Sequence, residues 1–179
     1  RTLGIDQFGL IMFAQAVMYY FEIIVDFGFK LSATREIALH SDRNEKLNKI
    51  ISAVFSIKIF LLIISFVLLS VILSLFDKFS QESLLYYFSF IKVIALAFFP
   101  TWFFQGIEKM KYITLIDIIS KTIFTILIFV FIRSETDYVF VPLISGVGYF
   151  FGSLIALYYI IVKFKQSIVR CSFSYIRKI

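Results

Sequence analysis

A chain of 179 residues that is 60% hydrophobic, 20% aromatic and only 17% charged carries far more apolar side chain than one soluble core of that size absorbs. Its mean hydropathy of +0.92 leads to the same conclusion, so water is not its main solvent. A net charge of +6 does not mark a nucleic-acid binder, because the bases sit in short segments between apolar runs instead of clustering on a soluble face. The single Cys171 has no partner for an internal disulfide, and no Cys/His group has metal-ligand spacing, so the sequence points to no catalytic residue, metal or cofactor.

In chain order, the opening on Arg1 shows no signal-peptide pattern, and a further segment is expected to precede it. A helix crossing a hydrocarbon core about 30 Å thick needs roughly 20 residues. Five apolar runs reach that length, at about 8-29, 51-75, 84-107, 113-132 and 139-162. Each is expected to be helical, because a strand in lipid leaves backbone N–H and C=O groups without partners. The runs are continuous, whereas barrel strands are about 10 residues long and alternate. The expected architecture is therefore all-α and integral to a membrane, with residues 1-162 as the five-helix region and 163-179 as a tail or inter-lobe linker.

The first run contains Glu22 and Asp26, one helical turn apart and so on one face, with Gln15 above them. The connector 30-50 is charged, carries the single His40 as a solvated residue, and suits a short surface helix around Ser32 to Ala38. Lys58 lies in the second run, and Lys92 and Pro100 in the third, where the proline removes a backbone hydrogen bond and predicts a kink or hinge. The fourth run pairs Asp117 with Lys121 at helical spacing, and the fifth contains the GxxxG step of Gly148 and Gly152, a packing motif. A phosphate-cradling loop is excluded there, since the glycines lie inside a span and no Lys-Ser/Thr follows.

Connectors 30-50 and 108-112 and the tail hold twelve of the eighteen Lys and Arg residues, whereas the alternate set holds only Arg1, Lys78 and Arg133. The positive-inside bias places the N-terminus outside and the tail in the cytoplasm. Tyr86, Tyr87, Trp102, Tyr112, Tyr138, Tyr158 and Tyr159 fall toward the ends of the runs, where amphipathic rings favour the interface.

Glu22, Asp26 and Asp117 face Lys58, Lys92 and Lys121 inside the spans. Ionisable groups there cost at least a few kcal/mol each unless they pair or line a wet path. Counting residues from the span ends puts Glu22, Asp26, Lys58, Asp117 and Lys121 near one layer, with Lys92 apart, nearer the outer side. Lys58, Lys92 and Lys121 read as a cationic cavity for an anionic head group. Glu22, Asp26 and Asp117 read either as sites of ion coupling, to H+ or Na+, or as ion pairs that lock helices together.

Arg1-Thr2-Leu3-Gly4 with Phe8-Gly9, Asp26-Phe27-Gly28-Phe29 with Ala33-Thr34-Arg35-Glu36-Ile37-Ala38, and above all Pro100-Thr101-Trp102-Phe103-Phe104-Gln105-Gly106-Ile107-Glu108-Lys109-Met110-Lys111-Tyr112 resemble the polysaccharide transporter family, which includes the Wzx-type O-antigen and capsule repeat-unit flippases. The resemblance runs from Arg1 to about Lys163. It implies a MATE-like exporter fold of two helical lobes, of which these five helices would form most of one six-helix lobe. It also implies a bacterial inner-membrane protein that moves undecaprenyl-pyrophosphate-linked oligosaccharide by alternating access, alongside other polysaccharide-assembly proteins. Two rivals stand beside that reading. A multidrug exporter of the same superfamily shares the fold, but three lysines in the spans favour an anionic ligand. A polysaccharide-assembly membrane enzyme calls for a long external loop or an Asp-x-Asp pair. Connectors 76-83 and 133-138 are short and no such pair occurs.

Overall fold

With no water to satisfy its polar groups, a backbone in lipid must bond to itself within each segment, and the computed structural model, which describes residues 4–167, does so with helices and no strand among those residues. Arg1, Thr2 and Leu3 of the opening motif, and Arg170, Cys171, Arg177 and Lys178 of the tail, lie outside the described residues. The helices are α1 (Ile5–Asp26), α2 (Phe29–Leu39), α3 (Asn44–Leu75), α4 (Asp77–Ser80), α5 (Ser83–Ala97), α6 (Thr101–Gly106), α7 (Lys111–Phe131) and α8 (Phe140–Tyr158). A 3-10 turn at Glu135–Val139 precedes α8 and a π turn at Tyr159–Lys163 follows it. Five segments are long and apolar enough to cross a membrane: Ile5–Leu39, Asn44–Leu75, Ser83–Gly106, Lys111–Phe131 and Glu135–Lys163. The described residues thus form an all-helical unit with the five candidate spans of a multi-pass membrane protein.

Two of those segments are broken. Between α1 and α2 the chain turns through Phe27 and Gly28, both left-handed, with φ of 40° and 79°. Glycine adopts that region freely; phenylalanine does not. Between α5 and α6 the break is the one that Pro100 predicts: α5 ends at Ala97, and Pro100 stands immediately before the first residue of α6. Proline has no N–H to donate and drives the residue before it out of the helical region.

The connector expected at 30-50 is mostly helix. It comprises α2 and the first two turns of α3, leaving only 40–43 as a link. Lys49 and Glu45, one turn apart, pair at 2.6 Å and support that early start. His40 closes α2, with Nδ1 2.9 Å from the Glu36 carbonyl oxygen. At 32 residues, α3 is about 48 Å long, more than a hydrocarbon core requires.

Packing centres on α5, with α1 and α8 against it and α7 on the far side of α8. Glycines set the approach of α8: a β-carbon at Gly148 would meet the Ser120 carbonyl oxygen at 2.8 Å, and one at Gly152 would collide with the Ser120 hydroxyl. Gly146 lets α5 approach in the same way, with Ile91 Cγ2 2.9 Å from the position of a β-carbon. α2 packs on α6, where the Thr34 hydroxyl, donating to the Lys30 carbonyl at 2.6 Å, also stands 3.2 Å from the Trp102 carbonyl. The buried apolar residues form two clusters. One, including Phe21, Val25, Leu62 and Val93, fills the half of the bundle toward Glu82 and Tyr138, whose hydroxyl donates to Glu82 at 2.7 Å. The other, including Ile37, Phe55, Trp102 and Ile160, fills the half that carries Lys30, Arg35, Lys109 and Lys163. Phe98 packs against both.

Candidate functional site: a charged chamber on the seam of the bundle

Between the two clusters lies a chamber of about 410 Å³, within the size range of small-ligand sites. The second half of α1, the start of α2, α3, the end of α5 and Thr101 of α6 form its wall. Its polar lining is Tyr19, Glu22, Asp26, Lys30, Lys58 and Thr101. The break at Phe27–Gly28 turns the chain so that Lys30 joins Asp26 on the same wall. The break before Thr101 ends α5 beside it.

Among the described residues Lys58 is the most deeply buried charge, with its side chain 4% exposed, and its ammonium donates to Asp26 Oδ1 at 2.9 Å. Asp26 is half-open, at 39%. The pair has a local cause. Asp26 ends α1, where the last carbonyls already present negative charge, and no base stands in that final turn. An ammonium brought from α3 balances both. Lys92 stands 3.5 Å from Glu22 Oε1 and 5.7 Å from the centre of the Tyr149 ring. Lys121 pairs with Asp117 at 2.7 Å on α7 itself.

These positions correct the sequence reading in two places. Lys92 is not apart from the other charges, because α5 packs on α1 and brings it to Glu22. Of the six charges only Glu22, Asp26 and Lys58 line the chamber; Lys92, Asp117 and Lys121 do not, and Lys121 is largely exposed on α7, at 61%. Each of the three lysines holds a carboxylate, so among the six intramembrane charges none is a free cation. Four residues escaped the sequence reading. Tyr19, Lys30 and Thr101 line the chamber, and Tyr149 offers its ring to the Lys92 ammonium that pairs with Glu22. Lys30 was assigned to a connector by its charge, and Tyr149 carries no sequence signal beyond its place near Gly148. Pro100, Gly148 and Gly152 act on the backbone, as described above, and do not line the chamber. No group of three or more His, Cys, Asp or Glu residues with metal-binding geometry occurs among the described residues.

A protein family described as polysaccharide biosynthesis protein matches residues 1–179. The chain belongs to that family. Among its curated relatives, one of Escherichia coli (strain K12), named as an O-antigen transporter, is 32% identical over 157 residues, covering 88% of this chain and 38% of its own length. Another of Shigella dysenteriae, bearing the same name, is 34% identical over 173 residues, covering 96% of this chain and 42% of its own length. The chain therefore spans about two-fifths of these relatives. No solved structure matches it. The resemblance seen in the motifs at Asp26 to Ala38 and Pro100 to Tyr112 thus agrees with the family to which the whole sequence aligns.

Proposed function

We propose that the protein containing this chain carries undecaprenyl-pyrophosphate-linked oligosaccharide repeat units across the bacterial inner membrane by alternating access. The observation that carries this reading is the chamber, in which Lys58 and Lys30 share the wall with Glu22 and Asp26. Family membership and the names of the relatives support it.

A neutral cluster does not attract an anion strongly, so the pairing itself defines the mechanism. Asp26 is the accessible partner and Lys58 the sealed one. A pyrophosphate head group entering the chamber competes with Asp26 for the Lys58 ammonium. Protonation of Asp26, or its capture of Na+, releases that ammonium to the phosphate oxygens. Binding of head group and binding of ion to the carboxylate are then linked, which is the requirement for coupled transport. Glu22 and Lys92 form the second such pair. Asp117 and Lys121 stand on the periphery and contribute less.

The test is complementation in a strain lacking the transporter, with the full-length protein at matched expression and surface O-antigen as the readout. Lys58→Ala and Lys92→Ala are expected to lower polymer at least tenfold, with Lys121→Ala causing a smaller loss. Normal polymer from all three rules the head-group role out. In proteoliposomes, Asp26→Asn and Glu22→Gln are expected to abolish the dependence of flux on a proton or sodium gradient; unchanged ion dependence in both removes the carboxylates as coupling sites.

A further inference from the structure

Three other lysines differ from Lys58, Lys92 and Lys121. Lys109, Lys111 and Lys163 lie where α7 begins and the turn after α8 ends, at the edge of two membrane-spanning segments. Lys58, Lys92 and Lys121 each hold a carboxylate, whereas among the described residues no carboxylate pairs with Lys109, Lys111 or Lys163 within 4 Å. What they gather around is Tyr112. The Lys163 ammonium stands 5.1 Å from the Tyr112 ring centre and 5.5 Å from that of Tyr159, and Lys111 stands 5.6 Å from Tyr112. The two tyrosine rings are 5.1 Å apart. Lys109 adds its charge within reach of the Tyr112 hydroxyl. The acid in this neighbourhood is Glu108, which is exposed and sits at a left-handed turn with φ of 57°. It does not balance three ammonium groups.

We infer that Lys109, Lys111 and Lys163, clustered on Tyr112, form a docking site for the phosphate of an anionic phospholipid. Cations stacked on ring faces keep their charge available, because the ring quadrupole attracts an ammonium without neutralising it. The Tyr112 hydroxyl adds a donor at interface depth, where tyrosine is at home. An open recess of about 630 Å³ beside Glu108, Lys109, Met110 and Lys111 leaves room for a head group. The surrounding side chains select a lipid over a free anion. Met110, Leu115 and Ile118 on one side, and Tyr158, Ile161 and Val162 on the other, are exposed apolar groups on the same two helical segments, and they offer acyl chains a wall directly beside the charges. Basic pockets between transmembrane helices hold anionic lipid head groups through this combination. The site lies on α7 and the end of α8, outside the chamber lining, and does not depend on what the chamber carries.

The experiment uses the full-length purified protein in neutral detergent. Retained lipid is counted by native mass spectrometry with phosphatidylglycerol, phosphatidylcholine or inorganic phosphate as probe. Phosphatidylglycerol is expected to be retained over phosphatidylcholine, and to resist displacement by millimolar inorganic phosphate. Each lysine changed to Gln is expected to weaken phosphatidylglycerol retention about five-fold, and all three together about 100-fold. Arg35, Arg43 and Lys46 changed to Gln together remove equal charge from the same half of the bundle and should have little effect. Equal losses from the two triple variants, unchanged retention in the Lys109/Lys111/Lys163 variant, or ready displacement by phosphate would each overturn the assignment. If the triple variant fails to fold, Lys163→Gln alone decides, since a five-fold loss supports the site and none refutes it.

Discussion

At the scale of single residues, the asymmetry of the Asp26–Lys58 pair decides what its loss costs. An ammonium in a side chain 4% exposed is largely sealed from water, whereas the carboxylate, at 39%, opens widely onto the chamber. Removing one partner of a buried pair costs about 3–5 kcal/mol, chiefly through the charge left behind. Asp26→Asn strands Lys58 and is expected to lose most of that amount. Lys58→Met leaves a carboxylate that water can reach and keeps the packing between Phe55 and Leu62, so it should cost clearly less. Thermal unfolding of the purified variants in detergent checks the order, and a larger loss from Lys58→Met would contradict the burial argument. The same residues show where sequence reading stops. That Lys58 needs an acid follows from its place in an apolar run; that the acid is Asp26, 32 positions away, does not.

At the scale of elements, the breaks and the glycines shape the site. Gly28 turns α1 into α2 at a φ of 79°, in a conformation that costs an L-residue roughly 1–2 kcal/mol. Gly28→Ala is expected to lose about that much, and Gly28→Asn less, because asparagine tolerates the left-handed region. Equal stability of both variants and the native chain would mean that the turn is not held in this conformation. The approach of α7 to α8 rests on Gly152, where any β-carbon meets the Ser120 hydroxyl. Gly152→Leu is therefore expected to separate the helices and cost at least 3 kcal/mol, beyond the usual range for overpacking because the opposing atoms lie on a packed helix. Gly9 has nothing within 4 Å of an added β-carbon, so Gly9→Ala should be neutral or slightly stabilising. The GxxxG step was legible because small residues at that spacing have few other uses in a span. The π turn at Tyr159–Lys163 had no comparable sequence signal.

At the scale of the whole molecule, the charge distribution predicts an orientation. Twelve bases fall on one set of connectors and tail and three on the other, and in the fold α2, the α6–α7 turn and the end of α8 meet at one end of the bundle around the Ile37, Trp102 and Phe164 packing. That end is expected to face the cytoplasm. Cysteines placed singly at Ser41 and Ser80, both exposed and at opposite ends, test this with a membrane-impermeant thiol reagent on intact cells in a Cys171→Ser background. Labelling at position 80 alone agrees; labelling at position 41 alone inverts the topology. The chamber lies on the seam between the two apolar clusters, so its geometry depends on how the two halves are set against each other, and Phe98 touches both.

The sequence by itself determined the number of spans, their helical nature, the distribution of charge between the two ends, the Asp117–Lys121 pair and the family. The first four follow from length, composition or spacing along one helix, because a backbone in lipid has few choices, and the family follows from the motifs and the match over the whole chain. Only the tertiary structure decided which face each helix turns inward. Apolar residues cover most of the surface of these spans, so no contrast between an apolar and a polar face marks the packed side as it does on a soluble helix. The partnerships of Lys58 with Asp26 and Lys92 with Glu22, the place of Lys30 on the chamber wall and the exclusion of Lys121 from it all follow from that rotation and from the turns at Gly28 and Pro100. Those are contacts between helices, and spacing along a single chain does not encode them.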